Sequence, residues 1–134
     1  MAETTRSDAE TARIIFYVVA VLMAIYGLGL LLFPHAIFTL SDDPGVPANP
    51  GWVRWAGEFV LGTAVAAWLA GSKPDSQRPL TLRLATAFTL VTLALLYSNP
   101  AGDYRGVQLL SWLQILGNGI LAAVMWWLTS KFAA

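Results

Sequence analysis

Two charged residues and two carboxamides stand where the sequence is otherwise apolar, and they define the chemistry open to this chain. Glu58 is the only acidic residue inside a long apolar run, and Arg54 precedes it by four positions. On a helix, residues four apart are neighbours on one face, so these two side chains would lie side by side. Gln114 and Asn118 are also four apart, in a second apolar run. The pattern predicts a polar cluster that binds a ligand or carries a proton.

Each half of this cluster also has a structural interpretation. Arg54 and Glu58 form an ion pair if the arginine extends to the lipid headgroups while its stem covers the helix. Gln114 and Asn118 form hydrogen bonds between helices, worth on the order of 0.6 kcal/mol each in membranes. An amide that faced lipid would leave its donors unsatisfied, so we expect both amides to point into the bundle under either interpretation.

Composition indicates the environment that these residues occupy. The 134-residue chain is 57% hydrophobic and 12% charged, whereas soluble domains carry roughly 25% charged residues. Apolar runs cover residues 14–33, 52–70, 80–97 and 108–128, and each is close to the ~20 residues that cross a bilayer as a helix. We predict an all-α fold, in which residues 1–134 form a single transmembrane domain built as a four-helix bundle. The first run is longer than the apolar core of a signal peptide, so we expect it to be retained.

Several functional classes are excluded by the same composition. A net charge of zero provides no field that would recruit nucleic acid. The chain has no cysteine and a single histidine, His35, which excludes disulfides, sulfur-ligated metals and a histidine-rich metal or haem site. No catalytic or nucleotide-binding motif occurs. We therefore predict no cofactor and no metal site, and we favour a role other than catalysis.

The distribution of basic residues predicts the orientation in the membrane. One side of the bundle receives Arg6, Arg13, Lys73, Arg78 and Lys131, with Arg83 just inside the third span. The other side receives only Arg54 and Arg105. Because basic loops stay on the cytoplasmic side, both termini are predicted to be cytoplasmic. The outer loop at residues 34–51 begins with a segment apolar enough to form a short interfacial helix.

Residue depth places the polar side chains in the outer half of the bundle. At ~1.5 Å per residue, Glu58 and Gln114 each lie about 9 Å from the outer end of their helix. Tyr26 lies seven residues before the outer end of the first run. We predict that Arg54, Glu58, Gln114, Asn118 and Tyr26 form a ligand-binding site.

Small residues predict where the helices contact each other. One stripe on the first helix and one on the second consist of Ala20, Ala24 and Gly27, and of Gly62, Ala66 and Ala70. Small side chains at this spacing allow two helix backbones to approach closely.

A resemblance to a known family rests on two segments. The first helix ends in Leu-Leu-Leu-Phe-Pro at residues 30–34, and the second opens with Trp-Val-Arg-Trp-Ala-Gly-Glu at residues 52–58. In helix order and layout the chain resembles small bacterial inner-membrane proteins of the DoxX-like type over residues 12–130. This resemblance implies a compact four-helix bundle that functions beside other membrane components.

Two functions remain open on these grounds. The first is an accessory or ligand-binding protein that holds a lipid, quinone or similar amphiphile, or that packs against a larger membrane complex or a second copy of itself. The alternative is a proton-coupled transporter or membrane enzyme in which Glu58 takes up and releases a proton. Four helices are few for alternating access, so a transporter would need to form an oligomer.

The predicted orientation can be tested by cysteine labelling. Because the native chain contains no cysteine, single cysteines at Ala48, Gly102 and Ser76 each report on one loop. In intact cells, a membrane-impermeant thiol reagent should modify the cysteines at positions 48 and 102 and leave position 76 unmodified. The reverse labelling pattern would show that the orientation is inverted.

Overall fold

The structure, a computed structural model, describes residues 6–40, 51–101 and 108–131, and its secondary structure in these ranges is entirely helical. The helices are α1 (Arg6–Leu32), α2 (Pro34–Leu40), α3 (Gly51–Ser72), α4 (Arg78–Ala101) and α5 (Gln108–Lys131), with a 3₁₀ turn at Pro74–Ser76 between α3 and α4. The prediction of an all-α fold is confirmed. The outer-loop segment at residues 41–50, Arg105 and the first five residues lie outside the described ranges.

Three helical segments in the described ranges are long and apolar enough to cross a membrane. They are Asp8–Leu32 in α1, Arg78–Tyr97 in α4 and Trp112–Lys131 in α5. The fourth predicted span, residues 52–70, is helical as α3 but does not belong to this group. Arg54 and Glu58 lower the hydropathy of its first half. The chain therefore has the helices of a membrane protein, with three of them apolar enough to span on their own.

The first two helices are joined by a single residue. Proline disfavours a helical conformation at the residue before it, so α1 ends at Leu32 and α2 begins at Pro34. The amide of Phe33 donates to the carbonyl of Gly29 at 2.9 Å, and the amide of Ile37 donates to the carbonyl of Phe33 at 3.1 Å. A Cβ atom built on Gly29 would lie 3.2 Å from Ile37. The short helix α2 therefore folds back against the end of α1.

The helix ends at one side of the bundle are held together by polar contacts. Arg13 of α1 donates from Nε to the carbonyl of Gly71 in the last turn of α3, at 3.2 Å. Asp8 of α1 forms an ion pair with Lys131 of α5, at 3.8 Å. The 3₁₀ turn keeps the start of α4 close to the end of α3. We call this side, where α1 and α4 begin and α3 and α5 end, the terminal end.

The apolar core lies close to the terminal end and includes residues from all four long helices. Its members are Ala12, Phe16, Val19, Ala20, Ala67, Ala70, Leu84, Ala85, Phe88, Ala122, Met125 and Leu128. Phe16 and Met125 are completely buried. The core residues of α1 and α4 come from the first halves of these helices, and those of α3 and α5 from the second halves. All four helices are therefore packed together at one end of the bundle.

Toward the opposite end, α1 and α3 contact each other through glycines. A Cβ atom built on Gly57 would lie 2.9 Å from the carbonyl oxygen of Gly27, and one built on Gly27 would lie 3.0 Å from the carbonyl oxygen of Gly57. Gly27 belongs to the stripe predicted on the first helix. The predicted stripe on the second helix is wrong at Gly62, where an added Cβ would meet nothing within 4 Å. Gly57 occupies the contact because it lies on the face of α3 that is turned toward α1.

This contact predicts a selective sensitivity to added methyl groups. Gly57→Ala should destabilise the protein by about 1–3 kcal/mol, because the new Cβ would overlap the backbone of α1. Gly62→Ala makes the same change on the same helix where space is open, and it should leave stability unchanged or slightly raised. Thermal unfolding in detergent measures both variants. Equal loss of stability in the two would contradict the assignment of the contact to Gly57.

Candidate functional site

A large cavity separates the helix pair α1–α3 from the pair α4–α5. The helices within each pair pack against each other along much of their length. Between the pairs the structure leaves a cavity of about 1170 Å³, lined by residues of all four long helices. Ligand pockets in proteins commonly measure ~300–1,000 Å³. The space is therefore large enough for a small amphiphile or for lipid acyl chains.

The cavity is long in the direction of the helices. Its wall includes Leu80 and Leu95 of α4, which are about 22 Å apart at ~1.5 Å per residue. A bilayer hydrocarbon core is ~30 Å thick. The cavity therefore follows most of the thickness of a bilayer hydrocarbon core.

Polar side chains interrupt a wall that is otherwise apolar. The polar and charged lining residues are Tyr26, Glu58, Thr63, Arg83, Gln114 and Asn118. Four of the five residues predicted for a ligand site are among them: Tyr26, Glu58, Gln114 and Asn118. They come from α1, α3 and α5, so residues distant in sequence share one cavity.

Arg54, the fifth predicted residue, lies outside this cavity on an exposed face of α3. Within the part of the chain that the structure describes, neither Arg54 nor Glu58 takes part in an ion pair. Although the two residues are one turn apart on α3, their side chains therefore do not form the ion pair of the structural interpretation. Glu58 contributes its carboxylate to the cavity without a neutralising partner from the described residues.

The two amides of α5 have different surroundings. Asn118 donates from Nδ2 to the carbonyl of Gln114, one turn earlier, at 2.8 Å. This contact satisfies part of the asparagine amide within its own helix, as serine and threonine hydroxyls do in membrane helices. Both side chains are half-buried at the cavity wall. The oxygen of the Asn118 amide and the whole Gln114 amide are thus available for hydrogen bonds to a bound molecule.

Two aromatic residues flank Glu58 on α3. The rings of Trp55 and Phe59 meet edge to face with their centroids 4.6 Å apart, and both rings line the cavity. They are 62% and 61% exposed, so much of each ring is open to a ligand or to lipid. Glu58 is therefore accompanied along α3 by two largely exposed aromatic rings, an arrangement suited to a molecule with one polar group and an apolar body.

Two glycines widen the cavity. Gly62 of α3 and Gly117 of α5 line it, and an added Cβ would meet nothing within 4 Å at either position. Glycine in a helix is less favourable than alanine by roughly 1 kcal/mol. In sequence these glycines resemble packing positions, because small residues at helix spacing are the usual sign of helix contact. Only the arrangement of all four helices shows that these two glycines face the cavity and do not contact a neighbouring helix.

Arg83 is a charged residue of the cavity wall that the site predicted from the sequence does not include. It lies inside the third predicted span, and it was counted only as part of the cytoplasmic charge. The available signal was its presence among apolar residues, because an ionisable residue within a span is expensive and commonly functional. The same criterion that selects Glu58 also selects Arg83.

The fold and the cavity together define a class: a small helical protein whose described part has three helices long and apolar enough to span a membrane, with a largely apolar cavity between the helix pairs that carries a few polar groups. Comparison adds no narrower assignment, because no family model, no curated protein and no solved structure matches this chain.

Because Arg54 and Glu58 form no ion pair within the described residues, we expect weak energetic coupling between them. A double-mutant cycle with Arg54→Ala, Glu58→Gln and the combined variant should give a coupling energy of no more than about 1 kcal/mol, the upper range for exposed pairs. Unfolding in detergent provides the free energies. As a reference, the cycle of Asp8→Asn with Lys131→Gln measures the coupling energy of a partly exposed ion pair that is present in the structure, for which about 0.2–1 kcal/mol is expected. A coupling of about 3–5 kcal/mol between Arg54 and Glu58 would instead indicate a buried ion pair.

Proposed function

We propose that this chain is a small integral membrane protein that holds a lipid, quinone or similar amphiphile between its two helix pairs. The observation that carries the proposal is the cavity of about 1170 Å³, whose largely apolar wall includes Tyr26, Glu58, Gln114 and Asn118. An apolar wall suits a hydrocarbon or ring system, and a few fixed polar groups orient the polar part of the ligand.

The polar residues favour one kind of headgroup. Glu58 repels an acidic group, whereas its carboxylate accepts hydrogen bonds from a hydroxyl or an amine. Gln114 donates and accepts, so it suits a carbonyl or a hydroxyl. We therefore propose that the ligand near Glu58 carries a neutral or cationic polar group in the outer half of the bundle, with its apolar part extending along the cavity.

The membrane arrangement is part of the same proposal. We propose that α3 is the fourth span and that both termini are cytoplasmic, in the inner membrane of a bacterium. The uneven distribution of basic residues supports the orientation, and the resemblance to DoxX-like proteins supports the bacterial membrane. The contact of α3 with α1 at Gly57 supports its place in the bundle, because it packs α3 closely against a helix that is itself long and apolar enough to span.

Filling the cavity should displace the ligand. Gly117→Leu adds a side chain at a position where a Cβ meets nothing within 4 Å, so the leucine enters the cavity without overlapping the backbone. We expect the amount of copurified amphiphile to fall about tenfold, equivalent to roughly 1.4 kcal/mol. Mass spectrometry of the gently purified protein, before and after organic extraction, measures the bound molecule.

Ala123→Leu is the matched control, since Ala123 is on the same helix, is exposed and does not line the cavity. This variant should retain the wild-type amount of ligand, and both variants should remain folded, which circular dichroism in detergent measures. Equal ligand retention in the two would refute the proposal. A copurified polypeptide in place of a small molecule would identify the cavity as the seat of a partner helix in a larger complex.

A further inference from the structure

Arg83 places a positive charge in the part of the cavity near the terminal end. It is five residues beyond the start of α4, which corresponds to about 7.5 Å along the helix. Helical side chains lean toward the N-terminus of their helix, so Arg83 leans toward the terminal end. Within the described ranges its guanidinium has no ion pair and no hydrogen bond. A charged fork of donors is therefore available to a molecule in the cavity.

Glu58 is too distant to neutralise this charge. It precedes the end of α3 by 14 residues, or about 21 Å, so it lies about 13 Å further from the terminal end than Arg83 does. Its side chain leans the other way, because α3 runs antiparallel to α4. The cavity consequently has an acidic group in one half and a basic group in the other, with apolar wall between them.

We infer that Arg83 forms a second, separate lipid site in this cavity, which binds the acidic phosphate headgroup of a membrane lipid whose acyl chain lies along Leu84 and Phe88. The planar guanidinium pairs with two phosphate oxygens at once. Its depth suits a headgroup, because a chain that enters from the terminal end passes the guanidinium before it reaches the apolar wall. The inference requires the cavity but not the ligand proposed near Glu58.

Basic residues outside the cavity support the preference of this site for an anionic lipid, and one of them provides the control variant for the experiment. Lys73 and Arg78 lie exposed at the same end of the bundle, and α4 contains no acidic residue. Basic residues at this level attract anionic lipid surfaces in general. Arg83 differs from them because its side chain lines the cavity. A site at Arg83 should therefore hold an individual lipid, whereas Arg78 should act only through the membrane surface.

Native mass spectrometry of the full chain in detergent can test this inference. The protein is supplied with equal amounts of phosphatidylglycerol, which has a net negative charge, and phosphatidylcholine, which has none. Wild type and Arg78→Gln should retain one phosphatidylglycerol in preference to phosphatidylcholine. Arg83→Gln should lose this retention by at least about tenfold, because a charge-assisted contact is removed. Arg83→Lys keeps the charge and should retain part of the binding if the glutamine variant does not fold.

Three results would overturn the inference. The first is equal phosphatidylglycerol retention in Arg83→Gln and Arg78→Gln. The second is displacement of the lipid by millimolar inorganic phosphate, which would show that the site recognises a free anion. The third is loss of the non-acidic amphiphile together with phosphatidylglycerol in Arg83→Gln, because the two sites would then not be separate. Loss of the non-acidic amphiphile in Gly117→Leu alone bears on the proposed function and leaves Arg83 unaffected.

Discussion

The packing of four helices at the terminal end is the constraint on which the rest of the structure depends. Phe16 of α1 and Met125 of α5 are fully buried there among alanines of α3 and α4. Alanine brings the backbones close, and the two large side chains fill the remaining space at the density of a protein interior. Toward the other end, the close glycine contact of α3 is with α1 and not with α4 or α5. The cavity is the space that these two contacts leave between the pairs.

Polar groups within the helices do little to close this space. The hydroxyls of Thr81, Thr89 and Thr92 each donate to a carbonyl of the preceding turn, at 2.7–2.8 Å. The indole of Trp126 donates to Thr89 at 3.1 Å, which joins α5 to α4 within one pair. Hydrogen bonds between membrane helices contribute on average ~0.6 kcal/mol, and here they act inside helices or inside pairs. The ion pair of Asp8 in α1 with Lys131 in α5 does join the two pairs, but only at the terminal end. The distance between the pairs is therefore determined at that end, by this ion pair together with the apolar packing.

The sequence predicts the helices well and the cavity only in part, for a physical reason. Length and hydropathy identify long helices, and α1, α3, α4 and α5 cover almost all of the four predicted spans. Side-chain burial depends on the rotation of each helix against its neighbours, and a pattern of small residues does not determine that rotation. Gly57 and Gly62 are both small residues on α3, yet one contacts a backbone and the other faces open space. Glu58 and Gln114 both line the cavity, and the sequence places them at the same depth because depth depends only on helix direction and rise. The site predicted from the sequence does not include Arg83, because its positive charge is already accounted for as part of the basic side that predicts the membrane orientation.

The cavity has consequences for what must occupy it. The apolar atoms that line a space of this size gain dispersion contacts from hydrocarbon that enters it, and in a bilayer acyl chains are available to make these contacts. A cavity of this volume with a largely apolar wall thus accepts hydrocarbon of almost any kind. Selectivity must come from groups whose burial is costly when they are unpaired. In this wall those groups are chiefly Glu58, Gln114 and Arg83, and opposite charges about 13 Å apart along the bundle cannot favour the same headgroup at both positions. The two sites that we propose therefore select by charge, and the apolar wall between them supplies affinity without discrimination.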